Sequence, residues 1–403
     1  MITRVLLGAA LLPTLALDTP RSSAPQTDAY KPSAVIREQA KSGKPGANQF
    51  AAWDFSYIGE YRAALASYDG PERGQPARRI SATDSAACVA LQPVDARTYI
   101  LQRAKTEQLL LINEAHHVPL HRTFTASLLP ELAKLGFRYL AAEGLNEADT
   151  LLQKRGYPVL ATGFYTKEPQ FGHLLRTAHQ TGFRLVAYDY GFSHAGEMDV
   201  QVRARETGQA RNIQRILQAD PKAKIVVHCG FSHNNEGPDG MVSQPSMAGH
   251  LKALTGIDPF TIDQVSLTEA GYPGAEAGRY RLLKATGSSV LLDAQGKPFN
   301  AADRNRSVDV NVYHPRTTDQ HGRPRWVFTP ERTPTPLTMP LPVGYPCLVL
   351  AYAATEDIAQ AIPVDVVELQ SPADRKALAL AKGAYTLMAK GPAGKLHTWT
   401  LNK

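Results

Sequence analysis

The chain has few cysteines, and their spacing limits what they can do. Its 403 residues include three, Cys88, Cys229 and Cys347, and no Cys-x-x-Cys pair occurs. Such a set provides no framework of several disulfides. Cys229 falls within a strand-like apolar run and is expected to pack as a small apolar residue. A disulfide between Cys88 and Cys347 is compatible with the sequence, although nothing in the sequence requires it.

Long apolar stretches are also scarce. The one such run, residues 5–17, follows Arg4 and is interrupted by Pro13. A membrane-spanning helix needs about 20 apolar residues, so this run is too short for a stable anchor. A polar segment follows it, which is typical of a cleaved signal peptide. We therefore expect residues 1–17 to be a signal peptide, the protein to be periplasmic or secreted, and no stable membrane span.

The sequence lacks a concentrated basic stripe. Its formal net charge is +7, with 20% charged residues, but the arginines at positions 73, 78 and 79 are not interleaved with aromatic residues. Nucleic-acid surfaces usually combine both features, so we expect no nucleic-acid partner. The 43% of hydrophobic residues is enough for one large core or two smaller ones.

Between residues 107 and 265, apolar strand-like runs alternate with helical patterns. The runs are 109–113, 138–143, 184–189, 224–229 and 259–265. Near-continuous apolar strands separated by helices indicate a parallel sheet covered on both faces. The pattern predicts an α/β fold with a mostly parallel central sheet and helices on both faces.

The remaining segments suggest four parts in all. After the signal peptide, residues 18–48 are rich in Pro, Ser, Lys and Gln without an apolar period, which predicts a flexible leader. Residues 49–334 are expected to form the α/β domain, with its core at 107–265. Short β-like runs between Pro/Gly turns predict a small C-terminal β-rich module at 335–403.

Reactive side chains follow the ends of three predicted strands. Glu114 and His116 follow the first, Glu143 ends the second, and His233 follows the fourth. The carboxyl ends of parallel strands meet at one edge of a sheet, where ligands bind, so these groups are expected to converge. Asp189 ends the third strand and can either complete this crevice or cap a turn.

The order of these motifs resembles a known superfamily, which joins the erythromycin esterases, the ChaN-type haem-binding uptake proteins and the Tiki/TraB metalloproteases. The matching segments are Asn113-Glu114-Ala115-His116, the run ending at Glu143, Arg205-Glu206 and Gly230-Phe231-Ser232-His233. The resemblance covers residues 107–265.

By position, the resemblance implies functional roles for Glu114, His116, Glu143, Arg205 and His233. His121 matches the ChaN-like pattern better than the esterase pattern.

Two positions depart from the family pattern. Asn113 stands where the family has glycine, and we expect it to adopt the positive φ that Asn tolerates better than most residues. Gln209 stands where the family has methionine.

Two imidazoles and a carboxylate at one point can act with or without a metal. His116, Glu143 and His233 would hold a divalent metal ion with an open position for water, which lowers the pKa of that water. Without metal, a carboxylate would orient His116, and the imidazole would take a proton from water.

Either route leads to hydrolysis of an ester or amide by direct attack of water. Arg205 would stabilise the oxyanion, unless it is an ordinary solvent-facing arginine of its helix. A covalent serine route is disfavoured because no Gly-x-Ser-x-Gly motif is present. We expect a small-molecule or peptide substrate.

Two alternatives to an enzyme remain. The ChaN-like resemblance implies a haem- or metal-binding uptake protein without catalysis, with His116, His121 or His233 as iron ligands and His121 and Asp189 lining the cofactor site. The other is an interaction protein whose C-terminal module binds a partner. His228, inside the fourth strand, is expected to point into packing.

Overall fold

A computed structural model describes residues 29–191, 197–237, 245–300, 307–337 and 340–403. Its helices are α1 (Ser33–Ala40), α2 (Ala47–Tyr57), α3 (Tyr61–Tyr68), α4 (Ala82–Val89), α5 (Ala96–Ala104), α6 (Pro119–Lys134), α7 (Leu152–Arg155), α8 (Pro169–Gln180), α9 (Met198–Ala219) and α10 (Met247–Thr255). Its strands are β1 (Gln92–Asp95), β2 (Leu109–Glu114), β3 (Phe137–Ala142), β4 (Arg184–Ala187), β5 (Lys224–Gly230), β6 (Phe260–Asp263), β7 (Ser289–Leu292), β8 (Val310–Tyr313), β9 (Asp319–Gln320), β10 (Arg323–Pro324), β11 (Thr333–Pro336), β12 (Cys347–Ala353), β13 (Asp365–Leu369), β14 (Ala377–Leu380), β15 (Ala384–Lys390) and β16 (Leu396–Asn402).

The largest sheet is mostly parallel. Its strand order is β1-β7-β8-β6-β2-β5-β3-β4, and the six strands from β8 to β4 run parallel. Strands β7 and β1 are added antiparallel at one edge. In the centre, Glu114 of β2 lies opposite Gly230 of β5, so these two strands end at the same level. The predicted α/β class with a mostly parallel sheet is confirmed.

Helices cover both faces of this sheet, and the alternation of side chains along β2 shows why. Leu110 and Ile112 belong to a buried cluster with residues of α5, α6 and α8. Leu109 and Leu111 belong to a second cluster with residues of α9 and α10. Successive side chains of a strand point to opposite faces, so a run that is apolar throughout needs cover on both sides.

The C-terminal residues form smaller antiparallel sheets. One has the strand order β13-β12-β15-β16, and β11 pairs with β14. Leu348 and Leu350 of β12 pack against the N-terminal helices, whereas Val349 faces a cluster with residues of β14. The buried Arg323–Asp365 ion pair, at 3.0 Å, connects β10 to β13.

The N-terminal segment differs from the predicted flexible leader. The predicted signal peptide and the leader up to residue 28 lie outside the described residues. Residues 29–48 do not match the predicted flexible leader, because α1 and the start of α2 lie within them. Tyr30 and Ile36 are buried against the C-terminal sheet, and the backbone N–H of Ser33 donates to Glu368 Oε1 at 2.8 Å. Glu368 is more than 300 positions from Ser33 in the sequence, so no local pattern predicts this contact.

Two further expectations concern the cysteines and membrane-spanning helices. All three cysteines are free and buried, so the disulfide left open between Cys88 and Cys347 is not formed. No helix within the described ranges is long and apolar enough to cross a membrane.

Candidate active site

Glu114, the last residue of β2, is a buried carboxylate with four close contacts. Arg122 of α6 donates to both of its oxygens, from Nε to Oε2 and from Nη2 to Oε1, at 2.6 Å each. Nδ1 of His116 lies 2.8 Å from Oε1, and Nε2 of His228 lies 2.8 Å from Oε2. Burial raises the pKa of Glu114, but Arg122 and the two imidazoles outweigh it and hold the pKa well below its usual range. Glu114 is therefore ionised.

His116 is oriented by this carboxylate. Because ionised Glu114 can only accept, Nδ1 of His116 carries a proton, so in the neutral imidazole the lone pair is on Nε2. Nε2 faces Oε1 of Glu143 across 3.9 Å, beyond hydrogen-bond distance. The ring stacks on Tyr165, with centroids 3.8 Å apart and planes 15° from parallel, and meets Phe231 edge-on. We call His116 and Glu114 the β2 pair.

Gly230, at the end of β5, gives His116 its space. A Cβ atom at this position would lie 2.6 Å from Nε2 of His116 and 3.0 Å from Oε2 of Glu143. The backbone N–H of Gly230 also donates to Oε2 of Glu143. Both the close approach of the imidazole and the placement of the carboxylate therefore depend on glycine at this position.

A second imidazole–carboxylate pair lies across the crevice. Nδ1 of His233 is 2.8 Å from Oε1 of Glu206, which is on α9 and also accepts from the backbone N–H of Met247 at 2.6 Å. Burial raises the pKa of Glu206, but His233 and Arg205 outweigh it and lower the pKa overall. We call His233 and Glu206 the α9 pair.

The Nε2 atom of His233, unlike that of His116, is occupied. Arg205 places Nη1 at 2.8 Å from it, and Nη2 of the same guanidinium donates to Glu143 at 2.8 Å and to Asp189 at 3.0 Å. Glu206 and Glu143 raise the pKa of His233 against the effect of burial. Nε2 nevertheless accepts here, because two N–H groups do not face each other at 2.8 Å. A second proton on His233 would displace the guanidinium.

Glu143 stands between the two pairs. Burial raises the pKa of Glu143, but His233, Arg205 and His116 outweigh it and lower the pKa to about 2. The carboxylate stays ionised. It binds Arg205 at 2.8 Å and lies 3.9 Å from Nε2 of His116.

The donor set does not fit the metal centre predicted from His116, Glu143 and His233. The guanidinium of Arg205 fills the space between His233 and Glu143, bonding to both at 2.8 Å. A divalent ion would have to displace this cation. Across the described parts of the chain, no group of three or more His, Cys, Asp or Glu side chains is arranged to hold a metal.

The two predicted cofactor residues have different positions. Asp189 belongs to the crevice, because it accepts from Arg205 and, at 2.7 Å, from Nε2 of Gln209. His121 does not face His116. It is fully buried, its Nδ1 accepts from the backbone N–H of Ala115 at 3.0 Å, and its ring lies 5.4 Å from that of His314.

The expected positive φ at Asn113 is wrong. The positive φ occurs instead at Phe231, with φ of 45°. Asn113 stays within β2 and uses its side-chain amide, donating to the Phe231 carbonyl and to Oδ1 of Asp263 at 2.6 Å each. The polar side chain thus ties β2 to the turn after β5 and to β6, a role that a glycine could not have.

Several site residues were missed or misread from the sequence. Arg122 is fully buried on α6, most of whose buried residues are apolar, and a charge among them is the signal that could have found it. His228 packs on Phe171 as expected, but it also bonds to Glu114. Glu206 lies in the matching segment Arg205-Glu206 but was given no role, whereas Tyr165 depends on long-range packing and left no local signal.

The similarities between this chain and known proteins are distant. No family model matches the sequence, and no curated protein matches it. Among solved structures, the type III effector HopBA1 is 13% identical over 56% of this chain and 97% of its own, with a TM-score of 0.35. RRSP, a MARTX toxin effector domain from Vibrio vulnificus, is 20% identical over 55% of this chain and 42% of its own, with a TM-score of 0.29. At these values the similarities carry no argument about activity.

Proposed function

We propose that this protein is an exported hydrolase of the erythromycin esterase and Tiki-like type. His116 activates a water molecule that attacks an ester or amide in a small-molecule or peptide substrate. One observation carries the proposal. Nδ1 of His116 is hydrogen-bonded to Glu114 at 2.8 Å, whereas its Nε2 lies 3.9 Å from Glu143, the carboxylate that also binds Arg205. An imidazole in this state is a general base.

The β2 pair supplies the base function. Water bonded to Nε2 of His116 gives up a proton as its oxygen attacks the carbonyl carbon. The imidazolium that forms is stabilised by ionised Glu114, which Arg122 keeps deprotonated. His116 then returns the proton to the leaving oxygen or nitrogen when the tetrahedral intermediate breaks down.

Arg205 supplies positive charge for the oxyanion. Its pKa is raised, because Glu143 and Asp189 outweigh burial, so it remains a cation. The guanidinium is held by Glu143, Asp189 and the α9 pair, so little reorganisation is needed as charge develops. The α9 pair accordingly positions the arginine instead of serving as a second base.

The experiment is a hydrolysis screen with ester and amide substrates, using the wild type, His116→Ala and the control His397→Ala in the C-terminal sheet. We expect His116→Ala to lose about 10³-fold in kcat, within the range typical of a general base, and His397→Ala to equal the wild type. Equal turnover by the wild type and His116→Ala, or no turnover by either, would contradict the proposal.

Haem binding is the second candidate, because the same free Nε2 of His116 could ligate iron. Titration with hemin tests it. A Soret shift that is present in the wild type and absent in His116→Ala would support this alternative.

A further inference from the structure

Tyr165 lies directly on the imidazole that acts as base in the proposed mechanism. Its ring is nearly parallel to that of His116, with centroids 3.8 Å apart. The residue begins a short 3₁₀ turn, Tyr165–Lys167, which leads into the first turn of α8. This placement brings a phenol to the crevice from a segment that contributes no other side chain to the reacting centre.

The hydroxyl of Tyr165 has no hydrogen-bond partner among the described residues, and the side chain is only half-buried. Two fully buried tyrosines provide a contrast. The hydroxyls of Tyr57 and Tyr188 donate to backbone carbonyls. Burial, followed by the charge of Glu143, raises the pKa of Tyr165 far above its ordinary value, so the phenol keeps its proton. It is therefore a donor without an acceptor beside the catalytic imidazole.

Two glycines let this turn approach the sheet. Gly144, just after β3, has φ of 81°, and a Cβ there would lie 2.9 Å from the Tyr165 ring. A Cβ on Gly163 would lie 1.8 Å from the carbonyl oxygen of Gly144. Side chains at either position would push the turn away from His116.

The N-terminal helices support the turn from the other side. Tyr30 donates to the carbonyl of Lys167 at 2.9 Å, and Tyr57 donates to that of Phe164 at 3.2 Å. The ring of Trp53 packs edge-on against Tyr165, at 5.5 Å between centroids. A tyrosine held from this many directions occupies a fixed position.

The turn is also connected to the carboxylate that orients His116. Glu168 follows the turn directly and caps α8 by accepting from the backbone N–H of Phe171 at 2.8 Å. Glu168 accepts in addition from Nη1 of Arg122 at 3.1 Å, and the same guanidinium holds Glu114. One buried arginine thus fixes both the base and the segment that carries Tyr165.

We propose that Tyr165 is a catalytic residue whose hydroxyl donates a hydrogen bond to the substrate oxygen that becomes negatively charged as water attacks. This inference rests on the proposed hydrolase function. The phenolic proton stays on Tyr165, so no further proton acceptor is needed. The hydroxyl and Arg205 together would stabilise the oxyanion from two sides of the crevice.

If Tyr165 had a purely structural role, only its ring would matter for activity. The stacking keeps the imidazole plane fixed, and any aromatic residue of this size would preserve it. Phenylalanine therefore separates the two roles, because it keeps the ring and removes only the donor.

The experiment compares full-length wild type, Tyr165→Phe, Tyr165→Ala and His116→Ala on the best ester or amide of the screen. Tyr385→Phe is the control, since it removes a phenolic hydroxyl that donates to Ala381 in the C-terminal module. We expect Tyr165→Phe to lose about 10²-fold in kcat, as for one oxyanion donor, with KM within about twofold of the wild type. Tyr165→Ala should lose more, and Tyr385→Phe should be unchanged.

Three outcomes would overturn the proposal. Tyr165→Phe could keep wild-type kcat while His116→Ala is inactive, which leaves the hydrolase function standing and Tyr165 structural. It could raise KM without lowering kcat, which makes the hydroxyl a ground-state contact. If the wild type and His116→Ala do not differ, the proposed function itself fails and this inference fails with it. Urea unfolding of each variant checks that the folded fraction is equal.

Discussion

The two imidazole–carboxylate pairs of the crevice are built alike at one nitrogen and differently at the other. In both the β2 pair and the α9 pair, a buried glutamate lies 2.8 Å from Nδ1. Nε2 of His116 lies 3.9 Å from Glu143, beyond hydrogen-bond distance, whereas Nε2 of His233 accepts from Arg205 at 2.8 Å. The same local arrangement can therefore serve two purposes, and what lies beyond Nε2 decides which.

The surroundings of each pair match this division. Behind the β2 pair, Arg122 is fully buried and bonded to two carboxylates, which fixes Glu114 as an anion. In the α9 pair, Glu206 accepts from the backbone N–H of Met247 at the N-terminus of α10. The arginine here is Arg205, which contacts His233 from the crevice side. The β2 pair is thus equipped for proton transfer and the α9 pair for positioning a cation.

The largest effect is expected from filling the space before Nε2 of His116. Gly230→Ala would add a Cβ 2.6 Å from that nitrogen, so the imidazole must move and water is excluded. We expect kcat to fall by about 10³-fold, the scale of losing the general base, while the circular dichroism spectrum stays that of the wild type. Gly287→Ala is the matched control, because a Cβ there meets no atom within 4 Å. If Gly230→Ala kept normal activity, Nε2 of His116 would not be the atom that binds the reacting water.

The second prediction concerns the buried arginine behind the β2 pair. Arg122→Met leaves Glu114 and Glu168 buried without their cation, so the free energy of unfolding should fall by about 3–5 kcal/mol. Urea denaturation measures this. Arg138→Met, at an exposed position, should change the free energy by less than about 0.5 kcal/mol. Equal stabilities of the two variants would refute the assigned role of Arg122.

The third prediction concerns Arg205, the arginine that contacts His233 of the α9 pair. Arg205→Lys retains the charge but cannot contact Glu143, Asp189 and His233 together, so the cation loses its fixed position. We expect kcat to fall by about 10²-fold, the scale of losing one oxyanion donor, with a smaller loss of stability than in Arg122→Met. Arg211→Lys, exposed on the same helix, should behave as wild type. A variant with unchanged kcat would place Arg205 outside the reaction.

The smallest effect is a dependence of stability on acid pH. The pKa of Glu143 is lowered to about 2 in the folded protein, and those of Glu114 and Glu206 are lowered as well. The folded state therefore binds fewer protons than the unfolded chain below about pH 5. Burial also lowers the pKa of several histidines, to about 3 for His117 and His314, so the unfolded chain binds more protons at these positions already below about pH 7. Stability should therefore decrease from about pH 7 downwards, with the carboxylates adding to the slope below about pH 5. Urea midpoints between pH 7 and pH 3 measure the slope.

Glu143→Gln provides the comparison for that slope. Removing this carboxylate should make the decrease with acid shallower than in the wild type, whereas Glu38→Gln, on the exposed face of α1, should leave it unchanged. An identical slope in Glu143→Gln and wild type would mean that Glu143 does not stabilise the folded state through its charge.

The α/β fold and the convergence of several site residues followed from the sequence, because both depend on local patterns. Apolar runs define the parallel strands, and the ends of those strands bring Glu114, His116, Glu143 and His233 to one edge. Asp189 was left open and proves to share the crevice through Arg205. These placements required no knowledge of packing between distant segments.

The residues beyond strand ends were less predictable for a physical reason. Tyr165 reaches the crevice because two glycines and the N-terminal helices hold its turn, and none of these contacts is local. The ordering of α1 depends in the same way on the C-terminal sheet. A metal site was predicted at His116, Glu143 and His233 from residue types alone. The sequence does not show that Arg205 lies between His233 and Glu143, because that depends on side-chain geometry.

The most direct test of the difference between the two pairs is kcat of His116→Ala and His233→Ala, measured side by side at equal folded fraction. We predict a loss of about 10³-fold for His116→Ala, as expected for the base, and a loss of about tenfold for His233→Ala, which only loosens Arg205. Equal losses in the two variants, or a larger loss in His233→Ala, would contradict it.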